Sequence, residues 1–470
     1  MHIETTGTET RASSSVSKRT SARATALAAV FAFWRAHPVV VTCVASLAVR
    51  AAFILTYGAS APLTAWGDDP YYDSIAKRLV MNHQYVNTWY PPGYPLFVAL
   101  IYAVFGRHWV VVRFVQAVLG AATCGLTYRL GAKVFDDRVG RLAGAVLVFY
   151  PGLAYMSWRI MGETLFIFLL VLALNVAVGM ARRSRLREAV ALGLVVGVAQ
   201  LVKSNLFVFP ALLVAWSALA LSGSVRQRLA LVCALSGSLL LVSLATPVAN
   251  FLSTARGTAA LPGNAGSTFW MANNPMADGY YIHAELEPAG KAFIEAHGFT
   301  ERLAQADEFE GDRLFRTLAL LWIRENPGRF LGLCLRKLNN AFGLFPRAVT
   351  LEGHPTAQAV HLLSYGVIAP FALAGLIASL RRWRSCSLLY IVLASYVLMV
   401  LIFYGTPRFT IIVMPVLILF ASSAMWTCAH YLARVQAALA TDRATLGFNT
   451  RSPMGDAPPA TNPRCGNEAK

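Results

Sequence analysis

Three carboxylates fall within six residues in the segment Trp66-Gly67-Asp68-Asp69-Pro70-Tyr71-Tyr72-Asp73. Crowded carboxylates raise one another's pKa, and an apolar boundary raises them further. Such a group takes a proton from a hydroxyl nucleophile or holds a divalent cation. A solvated acidic turn has the same sequence. A further acid, Glu163, opens an apolar run after Trp158-Arg159-Ile160-Met161-Gly162. Acids are favoured at helix N-termini for dipole reasons alone, yet a carboxylate at the edge of hydrocarbon is a functional candidate by default. Two bases also interrupt apolar sequence: Lys203, in Val202-Lys203-Ser204-Asn205, and Arg408, in Gly405-Thr406-Pro407-Arg408-Phe409. Arg offers a phosphate a fork and Lys a point charge; snorkelling to ordinary headgroups is the plainer use of either. In Trp270-Met271-Ala272-Asn273-Asn274-Pro275 the amides of Asn273 and Asn274 suit sugar hydroxyls, or form an Asx-turn. His83, His108, His283 and His354 lack metal-ligand spacing, and the seven cysteines include no CxxC pair. The acidic segment leaves a divalent metal open, but no motif specifies one.

These residues are carried by a chain built for a bilayer. Of its 470 residues 56% are hydrophobic and 14% charged, where a globular domain has ~45–50% and ~25%. About 20 apolar residues span a bilayer core as a helix. Apolar runs at residues 39–57, 110–130, 142–155, 164–180, 189–201, 207–221, 229–249, 361–380, 388–403 and 411–432 predict ten spans. The fold class expected is an all-α polytopic membrane protein with about ten transmembrane helices and an extracytoplasmic loop domain. The net charge of +18 does not indicate nucleic acid, because the bases sit in short clusters between apolar runs. Those clusters are the N-terminal arm, Lys133/Arg138/Arg141, Arg182/Arg183/Arg185/Arg187, Arg226/Arg228 and Arg381/Arg382/Arg384. Placing all five in the cytoplasm gives one consistent path with both termini inside. The basic start is too long for a signal peptide, and Arg50 interrupts its apolar core.

The resulting organisation is a cytoplasmic arm at 1–37, seven spans in 38–249 with a first outer loop at 58–94, and an outer domain at 250–360. Three spans in 361–432 and a cytoplasmic tail at 433–470 complete it. Composition predicts disorder in the arm and in the tail from about Asp442 onward. The outer domain holds 11 of the 23 acidic residues, so polar, chemically capable sequence collects on one side. The segments 94–105 and 330–345 are apolar but short, and read as interfacial or re-entrant helices.

The ordered set resembles the GT-C glycosyltransferases, in particular protein O-mannosyltransferases and bacterial aminoarabinose transferases. The resemblance is carried by Asp68-Asp69-Pro70-Tyr71-Tyr72 with Ala76, where the family pair is usually Asp-Glu. It continues through Pro91-Pro92-Gly93-Tyr94-Pro95 and Phe105-Gly106, then Tyr150-Pro151 and Glu163-Thr164-Leu165-Phe166. Trp270 to Asn274-Pro275 with Gly279-Tyr280, and Pro407-Arg408-Phe409 with Pro415, follow in order. Lys203 stands where the family commonly has Arg. The resemblance implies a sugar donor on a polyprenyl phosphate and a lipid, glycan or protein acceptor, among membrane lipids. It implies Asp68 as general base, Asp69 assisting or positioning, and Glu163 as second essential carboxylate. Lys203 and Arg408 would bind the donor phosphate, and Tyr72, Asn273 and Asn274 the substrate. Composition and brief outer loops point to a bacterial cytoplasmic membrane with the site on its outer face.

Two other classes compete. A transporter of lipid-linked substrates would show repeats, broken helices and a midplane site; the charges here gather at one edge, with no two-fold repeat. A non-catalytic assembly factor would not need the acids.

Overall fold

The computed structural model describes residues 33–63, 67–82, 90–244, 264–345 and 354–448. Most of the basic arm, Trp66, His83, the start of the outer domain and the end of the tail lie outside the described residues. The chain divides into Met1–Ala424 and Met425–Lys470. The second unit is described to residue 448 and is helical there.

The first unit is helical, with no strand among the described residues. It begins with α1 (Pro38–Tyr57), α2 (Asp69–Asn82), α3 (Gly93–Phe105) and α4 (Trp109–Val134). Next come α5 (Asp137–Phe149), α6 (Pro151–Trp158), α7 (Glu163–Arg183) and α8 (Leu186–Val202). α9 (Phe209–Ala220) and α10 (Val225–Ser243) complete this half. An outer layer follows, of α11 (Ala265–Ala272), α12 (Pro288–Ala296), α13 (Thr300–Gln305), α14 (Glu308–Glu325) and α15 (Pro327–Phe342). The last helices are α16 (Pro355–Ser379), α17 (Trp383–Ile402) and α18 (Pro407–Phe448).

Among the described residues each expected apolar run falls on a helix, the end of the run 229–249 lying outside them, but they differ in reach. Among the described residues six helical stretches are long and apolar enough to cross a membrane, or seven if the α5/α6 pair, bent by 53°, is one span. Pro151 explains that bend: it cannot continue the hydrogen-bond ladder of α5, and it suits the first turn of α6. α8 has 17 residues and α9 only 12. By contrast, Pro355–Ile402 forms one 48-residue stretch. A 3-10 turn at Leu380–Arg382 divides it into the long helices α16 and α17.

α4 is the hub, packed against α1, α5 and α7, while α8 packs on α7 and α10. Glycine sets the closest approach: a Cβ on Gly131 of α4 would lie 2.7 Å from the Gly140 Cα of α5. Small residues of this kind let membrane helices pack backbone to backbone.

The outer layer has its own core of Trp270, Ala284, Ile294, Phe299, Leu314, Leu318 and Ala319. Asp307 caps α14 by accepting the Glu310 N–H at 2.9 Å. His297 donates at 2.8 Å to the Phe293 carbonyl through Nδ1 and lies 2.8 Å from Glu325 through Nε2. The Glu325 carboxylate raises the imidazole pKa above its ordinary value. That stabilisation is therefore complete below the ordinary histidine pKa and disappears as pH rises through the folded one. Denaturation followed by tryptophan fluorescence should show this layer losing stability as pH rises above the ordinary histidine pKa of 6.5. His297→Gln should flatten that slope; an unchanged slope would show that the pair does not contribute.

Candidate active site

The residues expected to carry chemistry come from four places in the chain. Asp68 precedes α2 and begins its ladder, its carbonyl accepting the Tyr72 N–H at 3.0 Å. Pro70 occupies the first turn, where its missing N–H costs nothing. Glu163 is the first residue of α7. Lys203 follows the last residue of α8, and Arg408 is the second residue of α18.

α2 is clamped along its length. Asp69 is buried and accepts from Arg159 through both carboxylate oxygens, Nε lying at 2.9 and 3.0 Å and Nη2 closing the fork. The Ile160 N–H adds a bond at 2.8 Å. Gly67 makes room for this fork: its φ is +122°, and a Cβ there would lie 2.8 Å from Arg159 Nη2. Arg159 is braced by the Tyr155 hydroxyl at 2.7 Å. One turn further, Asp73 accepts from the Tyr102 hydroxyl at 2.7 Å, Trp109 Nε1 at 3.1 Å and Arg107 Nη2 at 2.6 Å. Burial alone would raise the Asp73 pKa, but the bonds from Arg107, Tyr102 and Trp109 prevail and hold it below the ordinary value. Tyr72 is 3% exposed, its ring 5.0 Å from that of Tyr90 and 4.8 Å from that of Tyr94.

At the head of α2 four charges alternate in sign. Lys203 Nζ lies 3.0 Å from Glu163 Oε1, and Arg408 Nε lies 2.6 Å from the same oxygen. Arg408 Nη2 reaches Asp68 Oδ2 at 2.5 Å. The Tyr90 hydroxyl donates to Asp68 Oδ1 at 3.2 Å. Burial, then the Asp68 charge, push the Tyr90 phenol well above its ordinary pKa, so it remains a donor. Glu163 is fully buried and Lys203 8% exposed, while the side chains of Arg408 and Asp68 are about a quarter exposed. Two cations thus compensate a carboxylate that could not stand alone in a low dielectric, and Arg408 with Asp68 forms the more exposed end of the four. Lys203 Nζ also sits 5.5 Å from the Phe409 ring centroid.

Asp68, Tyr72, Tyr90, Lys203 and Arg408 line one cavity of about 1900 Å³. Phe207, Pro210, Leu239, Leu240 and Met399 give it an apolar wall; Glu308, Arg313 and Arg316 of α14 give it a charged one. Among the described residues no group of three or more His, Cys, Asp or Glu could hold a metal ion. Asp68 and Glu163 are joined by the Arg408 guanidinium instead.

Asn273 and Asn274, expected to touch substrate, do not line the cavity and are fully buried. Asn274 Nδ2 donates to the Trp270 and Met271 carbonyls at 2.9 and 3.1 Å, and its Oδ1 accepts the Met276 N–H. Asn273 joins Phe269, Ile402 and Lys337. The Asx-turn reading fits this geometry. Asp69 does not line the cavity either, and Arg159 is its partner. Sequence reasoning assigned no role to Arg159 or Tyr90. The first was visible as a base in an apolar stretch, the second as the leading tyrosine of the Pro-Pro turn.

The Asp69–Arg159 pair yields a stability prediction. Arg159→Met should destabilise the protein by ~3–5 kcal/mol, because it leaves a buried carboxylate uncompensated. Denaturant unfolding in detergent measures this, and a loss below ~1 kcal/mol would contradict the clamp.

Residues 90–251 match the family described as dolichyl-phosphate-mannose-protein mannosyltransferase. No curated protein matches the sequence. Among solved structures, the apo oligosaccharyltransferase of Archaeoglobus fulgidus is similar at a TM-score of 0.51 and 15% identity, over 86% of this chain and 52% of that one. AglB from the same organism, in complex with an inhibitory peptide and a dolichol-phosphate, gives 0.50 at 16% identity with the same coverage, 86% and 52%. ArnT from Cupriavidus metallidurans bound to undecaprenyl phosphate covers 81% of this chain and 77% of that one at 15% identity, with a TM-score of 0.36, too low to support an argument. The chain spans about half the length of the oligosaccharyltransferases it matches. Residues 90–251 thus match a mannosyltransferase family, and the fold is similar to that of the oligosaccharyltransferases. The segment that matches the mannosyltransferase family contains Tyr90, Glu163 and Lys203.

Proposed function

We propose that this protein transfers a sugar from a polyprenyl-phosphate donor to an acceptor hydroxyl or phosphate at the extracytoplasmic face of a bacterial cytoplasmic membrane. The observation that carries the reading is the chain Lys203–Glu163–Arg408–Asp68. It sets two cations and one accessible carboxylate side by side on a cavity with an apolar wall. The apolar wall suits the polyprenyl chain, and the cations suit its phosphate.

In this reading Arg408 supplies a fork and Lys203 a point charge to the donor phosphate. Asp68 accepts the proton of the acceptor oxygen as that oxygen bonds to the anomeric carbon. The bond from the anomeric carbon to the phosphate oxygen breaks, and polyprenyl phosphate leaves with the electron pair. Positive charge develops on the sugar in an oxocarbenium-like transition state. Negative charge grows on the phosphate, where the fixed cations are most effective. Glu163 is buried behind them and keeps them paired and aimed. Phosphate needs no strong general acid to leave. The basic clusters lie at the opposite ends of the spans from the site in the chain path, which supports an extracytoplasmic location, with residues 264–345 as the outer layer over it.

The test is transfer of labelled sugar from polyprenyl-phosphate donors to extractable acceptors in membranes carrying the chain. Transfer by the wild type and its loss in Glu163→Gln at equal expression is expected. No transfer from any donor by the wild type would refute the reading, and the labelled product names the acceptor.

A further inference from the structure

We infer that Lys337, on α15 of the outer layer, is a positioning residue for Arg408, fixing the turn that delivers this guanidinium to Asp68 and Glu163. Lys337 lies away from the four charged residues, and its side chain is fully buried. Its Nζ donates to Asn273 Oδ1 at 2.8 Å, to the Leu401 carbonyl at 3.1 Å and to the Ile402 carbonyl at 3.3 Å. Three acceptors match the three hydrogens of an ammonium. Among the described residues no carboxylate forms an ion pair with it.

Its counter-charge is the end of a helix. Leu401 and Ile402 are the last two residues of α17, so their carbonyls have no partner within the helix and carry the negative end of its dipole. Asn273 Nδ2 donates to the same Ile402 carbonyl at 3.0 Å. From that capped end, only Phe403, Tyr404, Gly405 and Thr406 precede Pro407 and Arg408.

The same helix grips the turn again. A Cβ on Gly405 would come within 1.9 Å of the Lys337 carbonyl oxygen, so this backbone packs directly on α15. The Gly405 N–H donates to the Gly279 carbonyl at 3.2 Å. Beyond Arg408, the Thr410 hydroxyl donates to the Ala341 carbonyl of α15 at 2.6 Å. The turn is therefore held at two places before Arg408 and at one after it by one helix of the outer layer. Lys337 Nζ is its buried side-chain contact. A buried ammonium with no carboxylate partner is costly, and what it fixes here is the path into α18.

The role of Arg408 in donor binding rests on the function proposed above, so the experiment has one arm that does not depend on it. In the full-length protein in detergent, arginines are labelled with phenylglyoxal and quantified by peptide mass spectrometry. Lys337→Met keeps the side-chain stem and removes the charge. It should make Arg408 react several-fold faster, while Arg113, buried and bonded to the Trp158 and Ala59 carbonyls, stays protected. Lys337→Arg should restore protection. Unchanged Arg408 labelling, or an equal rise at Arg113, would overturn the inference. In the transfer assay, Lys337→Met should raise the donor KM about tenfold with the acceptor KM unchanged, and should add nothing on an Arg408→Ala background. Full multiplication of the two effects would also overturn it. Absence of transfer in the wild type would refute the proposed function alone, with the labelling arm still deciding the position of Arg408.

Discussion

Asp68→Asn is expected to slow sugar transfer by about 10²–10⁴-fold, the range for loss of a positioned general base. The substitution is nearly isosteric. The amide oxygen can still accept from Arg408 Nη2 at the Oδ2 position, and the amide NH2 at the Oδ1 position can donate to the Tyr90 hydroxyl oxygen, the second partner of Asp68 in the site. The clamp on α2 runs through Asp69 and Asp73, which are untouched. Folding and donor binding should therefore persist, and the loss should fall on kcat. An Asn no longer holds the guanidinium by charge, so Arg408 becomes more available to a phosphate and the donor KM should stay level or fall. Single-turnover transfer with saturating donor measures the chemical step directly. A loss below about tenfold would remove Asp68 from the role of base.

Arg408→Ala should lower kcat/KM for the donor by about 10²–10³-fold, comparable to removing one preorganised donor from a developing anion. The change removes the fork and half of the cationic compensation of Glu163. Lys203 remains at 3.0 Å from Glu163 Oε1, so the buried carboxylate keeps one partner and the fold should survive. Arg408→Lys should recover only part of the loss, because the donors of an ammonium all sit on one nitrogen and lack the fixed span between Nε and Nη2 that reaches Glu163 and Asp68. Equal activity of the lysine and wild-type proteins would show that charge alone is needed. An unchanged kcat/KM in the alanine variant would exclude the guanidinium from phosphate binding.

The two variants probe residues whose types were legible in sequence and whose contacts were not. Asp68, Glu163, Lys203 and Arg408 each stand out because a charge interrupts or borders an apolar run, a local signal. That Glu163 takes both cations on one oxygen is a tertiary fact, joining residues 40 and 245 positions apart. The helices were legible for the same local reason, since apolar length marks a span without its neighbours. Their reach was less so: Pro151 bends one run, and α9 stops after 12 residues. Asn273 shows how composition misleads, because an amide beside aromatics suits a sugar and also suits the ammonium it meets. Lys337 was hidden by its surroundings. It lies in a stretch read as apolar, and its burial follows from the way α15 packs on α17.

The alternation of charge at the head of α2 has a consequence for how a ligand is found. Lys203, Glu163, Arg408 and Asp68 sum to zero, each cation within 3.0 Å of a carboxylate. Seen from beyond the ~8 Å over which physiological salt lets charges act, such a cluster has almost no field. It cannot gather phosphates from a distance as a uniformly basic cleft does. A donor confined to the bilayer must meet it by lateral diffusion and displace an internal ion pair on arrival. Ionic strength should then have little influence on the rate of encounter, and the abundance of the donor in the membrane should govern it.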